Sequence, residues 1–360
     1  MPPSPGPSPT PHLEGPAPLE QSSSVVAPAR TLAKVALVAV LALVVTAGVA
    51  HTLFDLLREG EDAGPLSLDP LLVCLAGLLW SVGIAAQGPR WAALLPHSDG
   101  PPGIVRSALA VLGTNALTVT IPGPSGEALL AAFCERDLGI PWATGAAAKF
   151  LSRLVGLALL GGLLLAGVAV IPGAAAWAPG WMAGLASLTI GVVFLGVYWF
   201  SSRGLRSGAA ALLVRLPPPT RARLEEPVLA IVDHALAPKG QPAGMWVRAA
   251  AWSLVSTGFM GAGGYASAVA VGVAPDLGVY LWMHVVSSVA GLVGMVIPAG
   301  LGLLDALWAA LFVVTAAPGV APTLAFEHGL MAAVAWRQMQ AISLLISLGP
   351  LAWVGRRTSG

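Results

Sequence analysis

The sequence predicts an all-α, polytopic integral membrane protein with about six full spans and two broken or re-entrant helical hairpins arranged as an inverted-topology repeat. Three observations carry this expectation. Hydrophobic residues make up 56% of the chain, charged residues only 10%, and the mean hydropathy of +0.81 lies well above that of soluble domains. The apolar runs are long enough to cross a hydrocarbon core of roughly 30 Å, which takes about 20 residues. Finally, two runs are interrupted in the same way. Ile121-Pro122-Gly123-Pro124-Ser125-Gly126-Glu127 and Ile297-Pro298-Ala299-Gly300-Leu301-Gly302-Leu303-Leu304-Asp305 each place a Gly four residues after a Pro and follow it with one carboxylate. Proline removes a backbone donor and clashes with the preceding turn, so each motif is expected to end one helix and start another.

Taken in order, residues 1–30 are rich in Pro and Ser without apolar periodicity and read as a disordered or polyproline-like arm. A single transmembrane domain follows over 31–355. Full spans are expected at 33–56, 69–87, 144–171, 177–200, 246–272 and 325–353, with the broken segments at 104–139 and 278–317. Run 33–56 is longer than a signal-peptide core and is read as a retained span. The loop 201–245 carries Arg203, Arg206, Arg215, Arg221, Arg223 and Lys239, and Arg356 and Arg357 close the chain. Lys and Arg accumulate on cytoplasmic loops, so both termini and this loop are assigned to the inside. Loop 57–68, with Arg58 against Glu59, Glu61 and Asp62, is assigned outside. The first hairpin then opens inward and the second outward. Within 201–245, segments 205–216 and 222–236 have the mixed character of short interfacial helices.

Glu127 and Asp305 are the first candidate site residues. A carboxylate near a helix start is favoured by exposed amides and the dipole, which accounts for their position. An ionisable group at membrane depth costs about 2.5 to 3.5 kcal/mol on insertion scales and usually faces protein or water. Arg153 and Arg337, each inside a long apolar run, are the natural counter-charges, or holders of a phosphate through the planar guanidinium fork. Lys149, one turn before Arg153, either joins that face or snorkels to the surface. Asn115 is placed to bond amides freed by the first break. Pro122, Gly126, Pro298 and Gly302 shape the two breaks, whose amides could receive an anion. His284 and His328 fit no metal-ligand spacing and are assigned to packing or interfaces. Trp177, Trp181, Trp199, Trp246 and Trp282 are expected at the membrane interface. Gly258, Gly261, Gly263 and Gly264 are expected to allow close helix packing. Cys74 and Cys134 are read as packing residues, and no metal or cofactor is expected.

In motif order the chain resembles the membrane domain of lysylphosphatidylglycerol synthases and its stand-alone, flippase-like relatives. The residues that carry the resemblance are Arg90-Trp91, Asn115 with Pro122 through Glu127, Arg153, Pro298-Ala299-Gly300-Leu301-Gly302 with Asp305, and Arg337. The sequence departs from the family pattern at several places. Pro124 stands where that pattern has Arg, Leu130 where it has a later basic residue, Ser152 and Gly156 where it has an acidic pair, and Asp305 where it has Glu. The resemblance implies a bacterial-type cytoplasmic membrane and the lipid-translocating half without the aminoacyl-transfer domain, so no lipid charging by this chain.

The expected function is lipid handling: flippase-like translocation or presentation of an anionic or glycosylated lipid. Two other classes stay open, a secondary transporter of a small anion or ion, and an accessory subunit of a membrane lipid-modifying enzyme. The net charge of +1 and the lack of a basic stripe argue against nucleic acid as a partner. No nucleophile, metal or cofactor motif stands beside the carboxylates, so the chain is not expected to be an enzyme.

Overall fold

A computed structural model describes Leu37 and residues 69–95, 102–120, 125–170, 204–236, 243–273, 275–293, 303–316 and 319–359. All regular structure among them is helical. The helices are α1 (Pro70–Ala92), α2 (Ile104–Thr120), α3 (Ser125–Leu138), α4 (Trp142–Val170), α5 (Gly204–Val214), α6 (Pro218–Leu236), α7 (Ala243–Ala270), α8 (Leu277–Val293), α9 (Leu303–Thr315) and α10 (Pro322–Ser359). Local chemistry sets several ends. Asp69 caps α1 by accepting from the amides of Leu71 and Leu72 at 2.9 and 3.2 Å, with Pro70 in the first position, where no amide is missed. Gly139 and Gly272 follow α3 and α7 with φ of 67° and 73°, the left-handed conformation that stops a helix cheaply only for glycine.

Two apolar clusters mark opposite ends of the bundle. One gathers Trp91, Leu94 and Leu95 from the end of α1, Phe133 and Cys134 from α3, Ala148 and Leu151 from α4, Met245 and Ala249 from the start of α7, and Val354 near the end of α10. Ion pairs clamp the same end. Arg106 donates to the Asp137 carboxylate at 2.8 Å, Arg357 lies 3.4 Å from that carboxylate, and Arg136 donates to the Thr358 carbonyl. The open ends of the α2/α3 hairpin therefore share a face with the last turn of α10. The opposite cluster gathers Val271 and Val273 after α7, Tyr280 and Trp282 from α8, Trp308 and Phe312 from α9, and Met331 from α10. There the Asp69 amide donates to the Ala270 carbonyl at 2.9 Å. The open ends of α8 and α9 thus lie at the face where α1 and α10 begin.

Between these ends the backbones come close. A Cβ on Gly263 would lie 2.8 Å from the Ala76 carbonyl oxygen, so α7 meets α1 over bare backbone. Small interface residues are how helices associate where lipid offers no hydrophobic drive between them. Gly261 and Gly264 likewise sit against Leu281 and Tyr280, whereas Gly258 faces open space and packs nothing.

Three described helices are long and apolar enough to cross a membrane: Pro70–Ala92, Trp142–Ala169 and Pro322–Thr358. They match three of the expected spans, at 69–87, 144–171 and 325–353. The expected span at 246–272 is one continuous helix, α7, but it is not among the three, because buried Ser253, Ser256 and Ser267 and its glycines dilute its apolar character. Both broken segments are helix pairs, α2/α3 and α8/α9, and their breaks lie outside the described residues. So do the expected spans at 33–56, apart from Leu37, and at 177–200. In the 201–245 loop, α5 and α6 form where short helices were expected.

Two expectations need correction. Trp282 is 2% exposed, and its indole donates to the Leu164 carbonyl at 3.4 Å, so it is a core residue and no interfacial anchor. Cys74 is exposed on the outer side of α1, while Cys134 packs as expected. Helical periodicity decides which face an apolar residue occupies, and an all-apolar segment carries little of that signal. His284 is buried edge-on to Trp80 at 6.0 Å.

Candidate functional site: a polar cavity behind the first hairpin

Glu127 is the third residue of α3 and Asp305 the third residue of α9. In sequence the carboxylates stand at different distances from their glycines. The helix starts remove that offset and set both carboxylates in a first turn, where unpaired amides and the dipole favour negative charge.

In the first half, Glu127 pairs with Arg153 of α4. The pair borders a cavity of about 60 Å³ lined by Gln87, Thr114, Asn115, Thr118, Gly126, Lys149 and Arg153 among others. That is room for about four waters or one small oxyanion group. The hairpin is drawn tight here, because a Cβ on Gly126 would collide with the Thr118 hydroxyl and the Thr114 carbonyl. At a rise of 1.5 Å per residue, Asn115 and Arg153 lie about 17 Å along their helices from the face where α2 and α4 begin, and Lys149 about 11 Å. The cavity therefore lies well inside the length of the candidate span Trp142–Ala169.

Behind it, Arg90 of α1 is buried, and its guanidinium donates to Ser152 Oγ at 2.7 Å, Gln87 Oε1 at 3.4 Å and Ser253 Oγ at 3.5 Å. Gly156 leaves space for it: a Cβ there would lie 2.8 Å from Arg90 Nη1. Ser152 and Gly156 are thus the α4 residues that border the Arg90 guanidinium.

In the second half, Arg337 grips Asp305 with two parallel bonds, Nε to Oδ1 and Nη2 to Oδ2, both 3.1 Å. Its guanidinium lies 5.1 Å from the Trp336 ring centroid, and it also donates to Gln340 at 3.4 Å. This is the planar fork geometry at which Arg binds carboxylate best.

The structure brings Asn115, Gly126, Glu127 and Arg153 together at one cavity, and Asp305 and Arg337 together at a second ion pair. Pro122, Pro298 and Gly302 lie outside the described residues. Lys149 lines the same cavity. Sequence reasoning missed Gln87, Thr114, Thr118 and Ser253. A signal existed for the first three: Gln87 stands three residues before Arg90, and Thr114, Asn115 and Thr118 have the spacing of one helix face. Nothing in sequence distinguishes Ser253 from the other serines of α7. Among the described residues no group of His, Cys, Asp and Glu could hold a metal ion.

No curated protein and no solved structure matches the chain. A family model does, over residues 31–347, and its description is the lysylphosphatidylglycerol synthase TM region. That match covers nearly all the membrane-embedded helices and both ion pairs, so the chain is an integral membrane protein that belongs to the lysylphosphatidylglycerol synthase TM region family.

Proposed function

We propose that the chain handles membrane lipid, moving or presenting a lipid with an anionic or glycosylated headgroup between leaflets in a flippase-like manner. The observation that carries this reading is the polar cavity inside the length of the candidate span Trp142–Ala169, where Glu127, Lys149, Arg153 and Asn115 face one another behind a helix break. Ionisable groups there are expensive and mark substrate paths in membrane proteins. Family membership supports a membrane lipid-related role.

The two hairpins open toward opposite ends of the bundle, each with a carboxylate in the first turn of its second helix. This supports an inverted-topology repeat, the architecture in which a mid-membrane site is exposed alternately to each side. The positive loop at 201–245 and Arg356 and Arg357 orient the chain with both termini in the cytoplasm of a bacterial-type membrane. Membrane lipid is the partner, and a lipid-modifying enzyme is the natural supplier of such a substrate.

The test is transbilayer movement of fluorescent phosphatidylglycerol in vesicles reconstituted with the purified chain, followed by dithionite quenching. Faster movement than in protein-free vesicles, slowed about tenfold in Glu127→Gln, is expected. Uptake of a soluble anion with no lipid movement would transfer the chain to the secondary transporters.

A further inference from the structure

Three cationic side chains, Arg90, Lys149 and Arg153, lie near enough to repel one another, and Glu127 is the one carboxylate among the described residues that faces them. Arg153 is matched by Glu127. Arg90 meets only neutral oxygens, from two serines and a glutamine. Lys149 reaches the cavity without a hydrogen bond to any described residue, and neither does the Asn115 amide make one. Thr114 and Thr118 donate their hydroxyl protons to backbone carbonyls, so the donors left to the cavity are the Lys149 ammonium, the Asn115 amide and the first-turn amides of α3. Arg90 and Lys149 thus have no carboxylate of their own among the described residues, and an anion entering the cavity would favour the charged form of the Lys149 amine.

We propose that this cavity binds a phosphate group carrying two negative charges, as in a phosphomonoester or diphosphate headgroup, and selects it over singly charged phosphodiesters and zwitterionic headgroups. Lys149 and the Asn115 amide contact the phosphate oxygens, and Arg90, held back by Ser152 and Ser253, supplies the second positive charge from behind. The volume suits one phosphate group, leaving the rest of the molecule outside the cavity. The proposal rests on the reading of this cavity as the lipid-handling site.

The experiment is competition binding to the purified full chain in mild detergent, with radiolabelled dioctanoyl phosphatidate as probe. Unlabelled dioctanoyl phosphatidate, dioctanoyl phosphatidylglycerol, dioctanoyl phosphatidylcholine and sodium phosphate are the competitors. Phosphatidate is expected to compete about tenfold better than phosphatidylglycerol, the discrimination expected of one additional charge-assisted bond, and phosphatidylcholine not at all. Lys149→Gln should erase that preference and Lys149→Arg should keep it. Equal competition by phosphatidate and phosphatidylglycerol on the unmodified chain overturns the charge selection, whether or not the variants fold, and leaves the lipid-handling reading standing. Sodium phosphate competing as well as phosphatidate supports the dianion subsite while removing the lipid reading. Failure of phosphatidate to bind, with lipid movement intact in vesicles, sinks the subsite alone.

Discussion

The two halves of the molecule carry the same device and use it differently. Asp305 and Arg337 form a parallel two-bond clamp with the guanidinium against Trp336, and the Arg337 side chain is only 12% exposed. Glu127 and Arg153 form the corresponding pair, but the Arg153 side chain is 38% exposed and borders a cavity with Lys149, in front of Arg90. One pair matches its charges in a fixed geometry. The other is embedded in a cationic surplus. A repeated motif therefore supplies a two-bond ion pair in one half and an ion pair bordering a polar cavity in the other, and the difference comes from what the neighbouring helices bring.

The sharpest way to break this comparison is to remove each arginine. Arg337→Ala removes the two-bond clamp on Asp305 within the bundle and is expected to cost about 3 kcal/mol of stability, at the low end for a broken buried pair. Arg153→Ala, removing a more exposed partner, should cost about 1 kcal/mol or less. Replacing Asp305 and Arg337 together by Leu should recover most of the loss. Fluorescence-monitored thermal unfolding in detergent reads all three, and equal losses in the two halves would erase the distinction.

Gly126 sharpens the comparison next. A methyl group there meets the Thr114 carbonyl, which is backbone and cannot yield, so Gly126→Ala is expected to cost about 2 kcal/mol by overpacking. Gly156→Ala meets only the end of the Arg90 side chain, and should unfold the chain much less while changing anion binding. Unfolding midpoints of the two variants should therefore separate clearly.

Transport separates the halves a third way. Glu127→Gln should slow lipid movement about tenfold, equivalent to 1.4 kcal/mol on the barrier, with little change in unfolding. Asp305→Asn should show the reverse weighting, losing stability before rate. Vesicle assays and melts on the same preparations decide, and equal rate loss in both variants would make the second pair part of the transport site as well.

The smallest effect belongs to α6, outside the membrane-embedded region. Its Arg221 donates to Glu225 at 2.9 Å, and that hydrogen bond first, with the guanidinium charge behind it, holds the Glu225 carboxyl below its ordinary value. A depressed carboxyl contributes stability above its unfolded-state pKa of about 4.3 and loses it as pH falls through the folded value. Both side chains are about 40% exposed, so Glu225→Gln should leave the melting temperature nearly unchanged at pH 7 and reduce only slightly its fall under acid.

Much of the fold was legible because the bilayer imposes a strong rule. Backbone polar groups must be satisfied inside each segment, so long apolar runs read as helices and Pro-Gly interruptions as breaks. The runs at 69–87, 144–171 and 325–353 and the helix pairs on either side of both breaks follow from that rule, while the two short helices of the 201–245 loop were read from their mixed apolar and charged positions. The span at 246–272 was harder to grade, because its serines and glycines serve packing against α1 and lower its apolar character together. Which residues could matter was also legible, since Glu127, Arg153, Asp305 and Arg337 are charges where charge is costly.

Sequence could not say which of these pairs borders a cavity. Arg90 lies 62 residues from Ser152 and 163 from Ser253, and their meeting depends on how α1, α4 and α7 pack. Gln87, Asn115 and Lys149 meet only because α1, α2 and α4 pack around one cavity, which Gly126 closes by letting α3 approach α2. Composition and local pattern determined that the chain is a helical membrane protein with paired breaks and costly charges at depth, because solvation acts on each segment separately. Tertiary packing alone decided that one set of charges is matched and the other carries a surplus, because electrostatic balance is a property of the side chains that distant helices bring together.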